Sequence, residues 1–365
     1  MPRITAADAL AWVADLARAP RPAGEAAEAV ARASCASTLR ERGFSTVEIP
    51  FSYSTLPGRW ATSLTGFASI VALMLVGGEG YEGHATRALI ILISSLAAIG
   101  WSAWWIGTAG ILRLPWARAT SVNLVATRGT PRLWLMAHLD SKSQPVPIGL
   151  RALGITVSLF VWLAAVVLVL LQVGTGHGAP GWLWIVVAGV AGGLPVMASL
   201  VGSASPGALD NASGVAAVLL VVGALAPAIP LGVVLTSAEE LGLAGARAWS
   251  RSRTAATAIN FDGLDDTGPL RFSWSGKRPG DLLDRLQRGA ALARVPARVQ
   301  RLPPGILTDG VALAGAGWSA VTLSKGGVRT LSRIHTRRDQ ATALSGEGVA
   351  QAAEVVVRLL EELER

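Results

Sequence analysis

No Asp, Glu, Lys or Arg occurs between Arg151 and Asp210. A helix on the surface of a soluble domain keeps one face charged, so a stretch this long without an acid or a strong base does not suit one. Two windows inside it, Leu153 to Val173 and Trp182 to Leu200, reach the roughly 20 apolar residues needed to cross a bilayer. Two earlier windows do the same, Trp60 to Gly78 and Ala88 to Leu112. Only 15% of the chain is charged, against about 25% in an ordinary soluble domain, and the deficit is concentrated in these four windows. Pro195 is expected to kink the last of them.

The windows pair into two hairpins with short turns, Glu79 to Arg87 and Gly174 to Gly181. A hairpin returns the chain to the side it left, so residues 1–59, 113–150 and 204–365 are expected on one side of the membrane, with hairpins at 60–112 and 151–203. The flanks on that side carry Arg59, Arg113, Arg118 and Arg151, whereas the far turns carry only Arg87. The positive-inside rule then makes a multi-pass membrane protein whose folded domain is cytoplasmic. Met1 to Leu16 has no apolar core of a secretory signal. The spans hold no acid or base that would mark a transport pathway.

The rest of the chain reads as α/β. Ala6 to Arg18, Glu25 to Arg42 and Glu347 to Leu363 have helical periodicity. Thr46 to Tyr53, Leu231 to Thr236, Ala256 to Phe261 and Ala320 to Leu323 read as strands. Ser121 to Thr127 and Arg132 to Ala137 read as a strand pair turning at Arg128-Gly129-Thr130-Pro131. Strands alternating with helices imply a largely parallel sheet covered on both faces. One cysteine, Cys35, excludes an internal disulfide. The net charge of +8 suits an anionic lipid surface; without basic–aromatic interleaving or zinc-finger spacing, no nucleic-acid partner is expected. The sequence carries no signal of oligomeric state.

Several chemistry-bearing residues follow apolar strands, where open α/β sheets gather their ligands. Leu135-Met136-Ala137 leads into His138, with Asp140 two residues on. A histidine there can bind a metal through one ring nitrogen while a carboxylate fixes the other. Asp210 is the first charge after the long apolar stretch, in Asp210-Asn211-Ala212-Ser213-Gly214; a capping role and a metal-bridging role both suit it. Glu239 and Glu240 close the strand ending at Thr236, and Asp262 follows the strand ending at Phe261. Asp265 and Asp266, just beyond, read as a solvated turn. His335 is one of four histidines; His84 and His177 fall in the hairpin turns and read as solvent-exposed. No serine sits in a Gly-x-Ser-x-Gly elbow.

The order His-x-Asp, Asp-Asn-x-Ser-Gly, Glu-Glu, Asp, His resembles metallopeptidase family 28, which includes bacterial leucyl aminopeptidases and the glutamate carboxypeptidase II type. Pro20-Arg21-Pro22-Ala23-Gly24 and Glu239 through Arg247 resemble two further family segments. The resemblance implies a three-layer αβα zinc-exopeptidase-like mixed sheet, with the two transmembrane hairpins as insertions. It also implies two co-catalytic Zn²⁺ ions. One would be held by His138, Asp210 and Asp262, and the other by Asp210, Glu240 and His335, with Asp210 bridging. Glu239 would be the general base and acid, and Asp140 would orient His138. The implied substrate is a peptide, cleaved as by an aminopeptidase. Two readings compete: a zinc acyltransferase of glutaminyl cyclase type, and a non-catalytic membrane scaffold, against which the full ligand set argues.

The sequence departs from the family pattern in three places. The second hairpin lengthens the stretch between Asp140 and Asp210. Thr308-Asp309-Gly310 stands where the family often has Ser-Asp-His, and Arg337-Arg338 follow the last histidine. Those arginines suit either a substrate carboxylate or anionic lipid. His138 and Asp210 lie about a dozen residues from the spans, and an extended residue reaches about 3.5 Å. The site is therefore expected near the bilayer, with a membrane-attached or amphipathic peptide as substrate.

Overall fold

The computed structural model describes residues 4–363; Met1, Pro2 and Arg3 of the N-terminal segment read above lie outside it. In chain order the elements begin with α1 (Ala6–Leu16), α2 (Ala26–Glu41), β1 (Ser45–Ser54), α3 (Thr55–Tyr81) and α4 (Ala85–Trp105). A π-type turn at Ile106–Gly110 carries α4 into α5 (Ile111–Arg113). Next come β2 (Arg118–Arg128), β3 (Leu133–His138), α6 (Ile148–Thr175), α7 (Trp182–Met197), α8 (Ser213–Ala224), β4 (Leu231–Thr236) and α9 (Ala244–Arg251). The chain continues through β5 (Thr257–Leu264), β6 (Leu270–Trp274), α10 (Gly280–Leu292), β7 (Ala297–Arg301) and α11 (Asp309–Gly315). It closes with β8 (Ser319–Lys325), α12 (Val328–Leu331) and α13 (Glu347–Leu363). These elements form two compact units.

The first unit comprises residues 4–53, Arg118–Ser143 and 203–363. Its eight strands form one mixed sheet in the order β1-β2-β4-β3-β5-β8-β6-β7. β4, β3, β5 and β8 run parallel in the middle, and every residue of β3 and β4 is buried, as strands covered on both faces require. One face carries α1, α2, α8, α10 and α13, whose Val13, Leu39, Val218, Leu283 and Val356 share a core with the sheet. The other carries α9 and α11 over a tryptophan cluster. There the Trp134 and Trp249 rings lie 5.0 Å apart, and those of Trp249 and Trp318 4.8 Å apart. The result is a three-layer αβα domain.

β2 and β3 are not neighbours, contrary to the hairpin expected from the Gly129 turn. β4 lies between them, antiparallel to β2 and parallel to β3. Local turn chemistry lost to a tertiary fit: Trp134 packs over Gly232 of β4, where a Cβ would come within 2.3 Å of the indole. Asp265 and Asp266 do not form a solvated turn either. Asp265 is buried and accepts hydrogen bonds from Thr330 and Arg333. Asp266 accepts from the backbone N–H groups of Ser345 and of Gly348, in the first turn of α13.

The second unit comprises Ser54–Ala117 and Gln144–Gly202 and is helical. Thr55–Tyr81, Ala85–Arg113 and Ile148–Thr175 are each long and apolar enough to cross a membrane. α7 is shorter, at 16 residues; it ends two residues after Pro195, which lies in its last turn and makes no mid-helix kink. The helices approach through glycine. A Cβ on Gly66 would meet the Met197 backbone at 2.4 Å, and one on Gly193 would meet Ile70 at 2.4 Å. Small residues at helix contacts with bulky apolar residues outside is the packing used in lipid. Here Phe67, Leu159, Phe160, Leu163 and Trp184 are all exposed. Two buried indoles are paired: Trp162 Nε1 donates to Ser69 Oγ, and Trp182 Nε1 to Gln172 Oε1. His84 and His177 are exposed.

Candidate metal centre

The site is built at the carboxyl ends of β3, β4 and β5. His138 is the last residue of β3 and pairs in register with Thr236, the last of β4. Glu239 and Glu240 follow in a tight turn in which Ala238, Gly242 and Leu243 all adopt positive φ. Asp262 lies in β5, two residues beyond Asn260, which pairs with Met136. Asp210 sits in an irregular turn, Ala208–Ala212, before α8. Its neighbour Asn211 ties that turn to β5: Nδ2 donates to the Phe261 carbonyl, and Oδ1 accepts from the N–H of Gly214 and of Gly263. His335 comes from the loop after α12, in left-handed conformation.

These six side chains converge, and none is more than 15% exposed. Asp210 lies between the two histidines: Oδ1 is 3.1 Å from His138 Nε2, and Oδ2 is 3.0 Å from His335 Nε2. Glu240 Oε1 is 3.3 Å from His335 Nε2. Asp262 Oδ1 and Glu239 Oε2 are each 3.9 Å from His138 Nε2. Two groups can each surround a metal ion, His138 with Glu239 and Asp262, and Asp210 with Glu240 and His335.

The residues fit cations. His138 Nδ1 donates to the Asp140 main-chain carbonyl at 3.0 Å, which leaves the Nε2 lone pair aimed at carboxylate oxygens. Nε2 is buried without a hydrogen bond, as is Glu240 Oε1. A lone pair facing carboxylates is satisfied by a cation placed between them. Burial, together with the crowding of neighbouring carboxylates, pushes the Glu239 carboxyl well up and Asp262 to about 7. Divalent charge relieves such crowding.

The Asp140 carboxylate is engaged elsewhere than His138. Its Oδ1 is 3.6 Å from His138 Nδ1, while Oδ1 and Oδ2 accept the backbone N–H groups of Glu239 and Glu240, each at 3.1 Å. Asp140 thus holds the Glu239–Glu240 turn by its backbone and His138 by its own carbonyl.

Four participants were given no role in the site from the sequence. Lys142 Nζ lies 2.6 Å from Glu240 Oε2; its one signal was a rare lysine two residues after Asp140. Asp309, fully buried at the start of α11, accepts from Thr236 Oγ1, and burial raises its carboxyl to about 6. Asp339 and Arg21 act on backbone groups, as described below. Arg337 and Arg338 are exposed.

Residues 188–360 match the model of peptidase family M28. Solved structures share the fold over nearly the whole chain. An aminopeptidase from Aneurinibacillus sp. strain AM-1 is 13% identical, with 99% of this chain and 94% of that chain covered and a TM-score of 0.58. A zinc aminopeptidase from Bacillus subtilis is 14% identical, with 99% and 95% covered and a TM-score of 0.57. A glutaminyl cyclase from Porphyromonas gingivalis is 16% identical, with both chains fully covered and a TM-score of 0.57. No curated protein matches the chain in sequence. Over residues 188–360 the chain is similar to peptidase family M28, and it shares the fold of these aminopeptidases, which supports a peptidase.

Proposed function

We propose that this protein is a membrane-anchored zinc exopeptidase, an aminopeptidase that hydrolyses peptide bonds with water activated between two metal ions. The observation that carries the reading is Asp210, with one carboxylate oxygen 3.1 Å from His138 and the other 3.0 Å from His335. One ion is assigned to His138, Asp210 and Asp262, the other to Asp210, Glu240 and His335. Bound zinc supplies Lewis acidity, lowering the pKa of water and stabilising oxyanion charge.

Glu239 is placed to take the proton from the attacking water and pass it to the leaving amine. Burial and the neighbouring acids Glu240, Asp262 and Asp309 push its carboxyl up, so it holds a proton more readily than an ordinary glutamate. The Asp140 carboxylate holds the Glu239 backbone in place for the task. The helical unit, with glycine contacts inside and exposed Phe160 and Trp184 outside, supports a membrane anchor. The arginines flanking the hairpins support a cytoplasmic peptidase domain. The substrates proposed are peptides met at the lipid surface.

Metal content and turnover of amino-acid amides, measured on wild type and Glu239→Gln, test the reading. Retained zinc with turnover reduced about 10²–10⁴-fold supports it; a wild type that binds no zinc overturns it. The likeness to a glutaminyl cyclase favours one second reading, cyclisation of N-terminal glutamine. Release of ammonia from glutaminyl peptides, without cleavage of amides, would select that chemistry.

A further inference from the structure

Arg21 is 2% exposed, yet among the described residues no carboxylate bonds to its guanidinium. Its donors go to four backbone carbonyls. Nε donates to Leu139 at 2.8 Å, Nη1 to Leu16 at 2.6 Å and to Pro206 at 2.8 Å, and Nη2 to Gly207 at 3.0 Å. Leu139 lies between His138 and Asp140, while Pro206 and Gly207 lead into the turn that bears Asp210. Three of the four bonds therefore clamp the two loops that carry His138 and Asp210.

The backbone of Arg21 reinforces the clamp. Its N–H donates to Ser141 Oγ at 3.0 Å, and its carbonyl accepts the Ser141 N–H at 2.9 Å. Ser141 Oγ in turn donates to the Ser205 carbonyl at 3.0 Å. The loops also touch sterically, because a Cβ on Gly207 would lie 2.5 Å from Ser141 Cβ. A planar fork with donors on three nitrogens fixes the spacing of the carbonyls it bridges; a lysine ammonium does not.

We propose that Arg21 is a positioning residue that sets the spacing of His138 and Asp210, and with it the affinity for the metal ion these two share. The inference rests on the metal site proposed above. A residue that merely stabilised the fold would lower the melting temperature and leave metal affinity alone. Groups that hold ligands in place characteristically cost about 10–100-fold in metal affinity when lost.

The test is chelator competition with zinc alone on the full chain in detergent, with melting measured in parallel. The variants are wild type, Arg21→Lys, Ser141→Ala and, as a remote core control, Leu286→Ala in α10. Arg21→Lys is expected to bind the zinc whose ligands include His138 about tenfold or more weaker. Leu286→Ala is expected to melt lower and keep both affinities within about twofold. Arg21→Lys folding with both affinities at wild-type values overturns the proposal, as does Leu286→Ala losing affinity equally. Should Arg21→Lys not fold, Ser141→Ala decides: weaker binding of one zinc supports the proposal, and unchanged binding overturns it. A wild type that takes up no zinc would remove the proposed metal site itself, an outcome distinct from these.

Discussion

Asp339 holds Asp210 by its backbone: Oδ2 accepts the Asp210 N–H at 3.1 Å while Oδ1 accepts that of Leu209 at 2.6 Å. The Asp339 main-chain carbonyl also accepts the N–H of Ala208. Asp140 grips the Glu239–Glu240 turn in the same way. Two buried carboxylates, neither assigned to a metal, thus fix the backbone beneath three of the acids that line the site. In Asp339→Asn one N–H would face an amide donor instead of an oxygen. The expected cost is about 1–3 kcal/mol of stability and roughly tenfold in kcat/KM, read by thermal melting and steady-state kinetics.

Gly207 has φ +65°, and a Cβ there would lie 2.5 Å from Ser141 Cβ and 2.6 Å from the Asp210 carbonyl oxygen. Gly207→Ala combines backbone strain with a clash against the Asp210 turn. A loss of about 1–3 kcal/mol is expected, with zinc uptake impaired in whatever protein folds. Melting and metal analysis of the purified variant check both.

Asp265 supplies an acid-stability prediction away from the metal ligands. Burial pushes its carboxyl up, but hydrogen bonds from Arg333, Thr330 and the Asp266 N–H outweigh it and hold the carboxyl below the ordinary value. A group with a depressed folded pKa contributes stability that is fully present above its unfolded value, about pH 4, and is lost as pH falls through the lower folded value. Asp265→Asn is expected to be less stable at neutral pH and to lose less on acidification below about pH 4. Melting temperature against pH, compared with wild type, reads the difference in slope.

Phe160, 69% exposed on α6, separates a lipid-facing helix from a water-facing one. A charge at the centre of a spanning helix costs about 3 kcal/mol on insertion scales. Phe160→Arg is expected to reduce membrane-inserted protein sharply, measured by fractionation and carbonate extraction. An unchanged yield, or protein released to the soluble fraction with full activity, would contradict the membrane anchor.

The central strands and the residues gathered at their ends were legible because each of His138, Asp210, Glu240 and Asp262 closes or follows an apolar segment, and burial demands such segments. The helices of the second hairpin were legible from the missing charge between Arg151 and Asp210. Strand β7, Ala297–Arg301, was not: it is a five-residue edge strand whose only apolar residues are Ala297 and Val299, too short an alternation to stand out. The place of β4 between β2 and β3 depends on Trp134 fitting over Gly232, a contact between residues distant in sequence. Arg21, Asp140 and Asp339 act through bonds to backbone groups, and any residue can supply a carbonyl or an N–H. Motif resemblance flagged Asp140 and the segment around Arg21, but which backbone groups they and Asp339 hold emerges only from the fold.

Zinc per chain, measured on metal-loaded wild type and on Asp210→Asn, bears on the whole account most directly. Two ions held in common by one carboxylate predict two equivalents in the wild type and a loss of both from the variant. Two equivalents retained by Asp210→Asn, or none bound by the wild type, would contradict it.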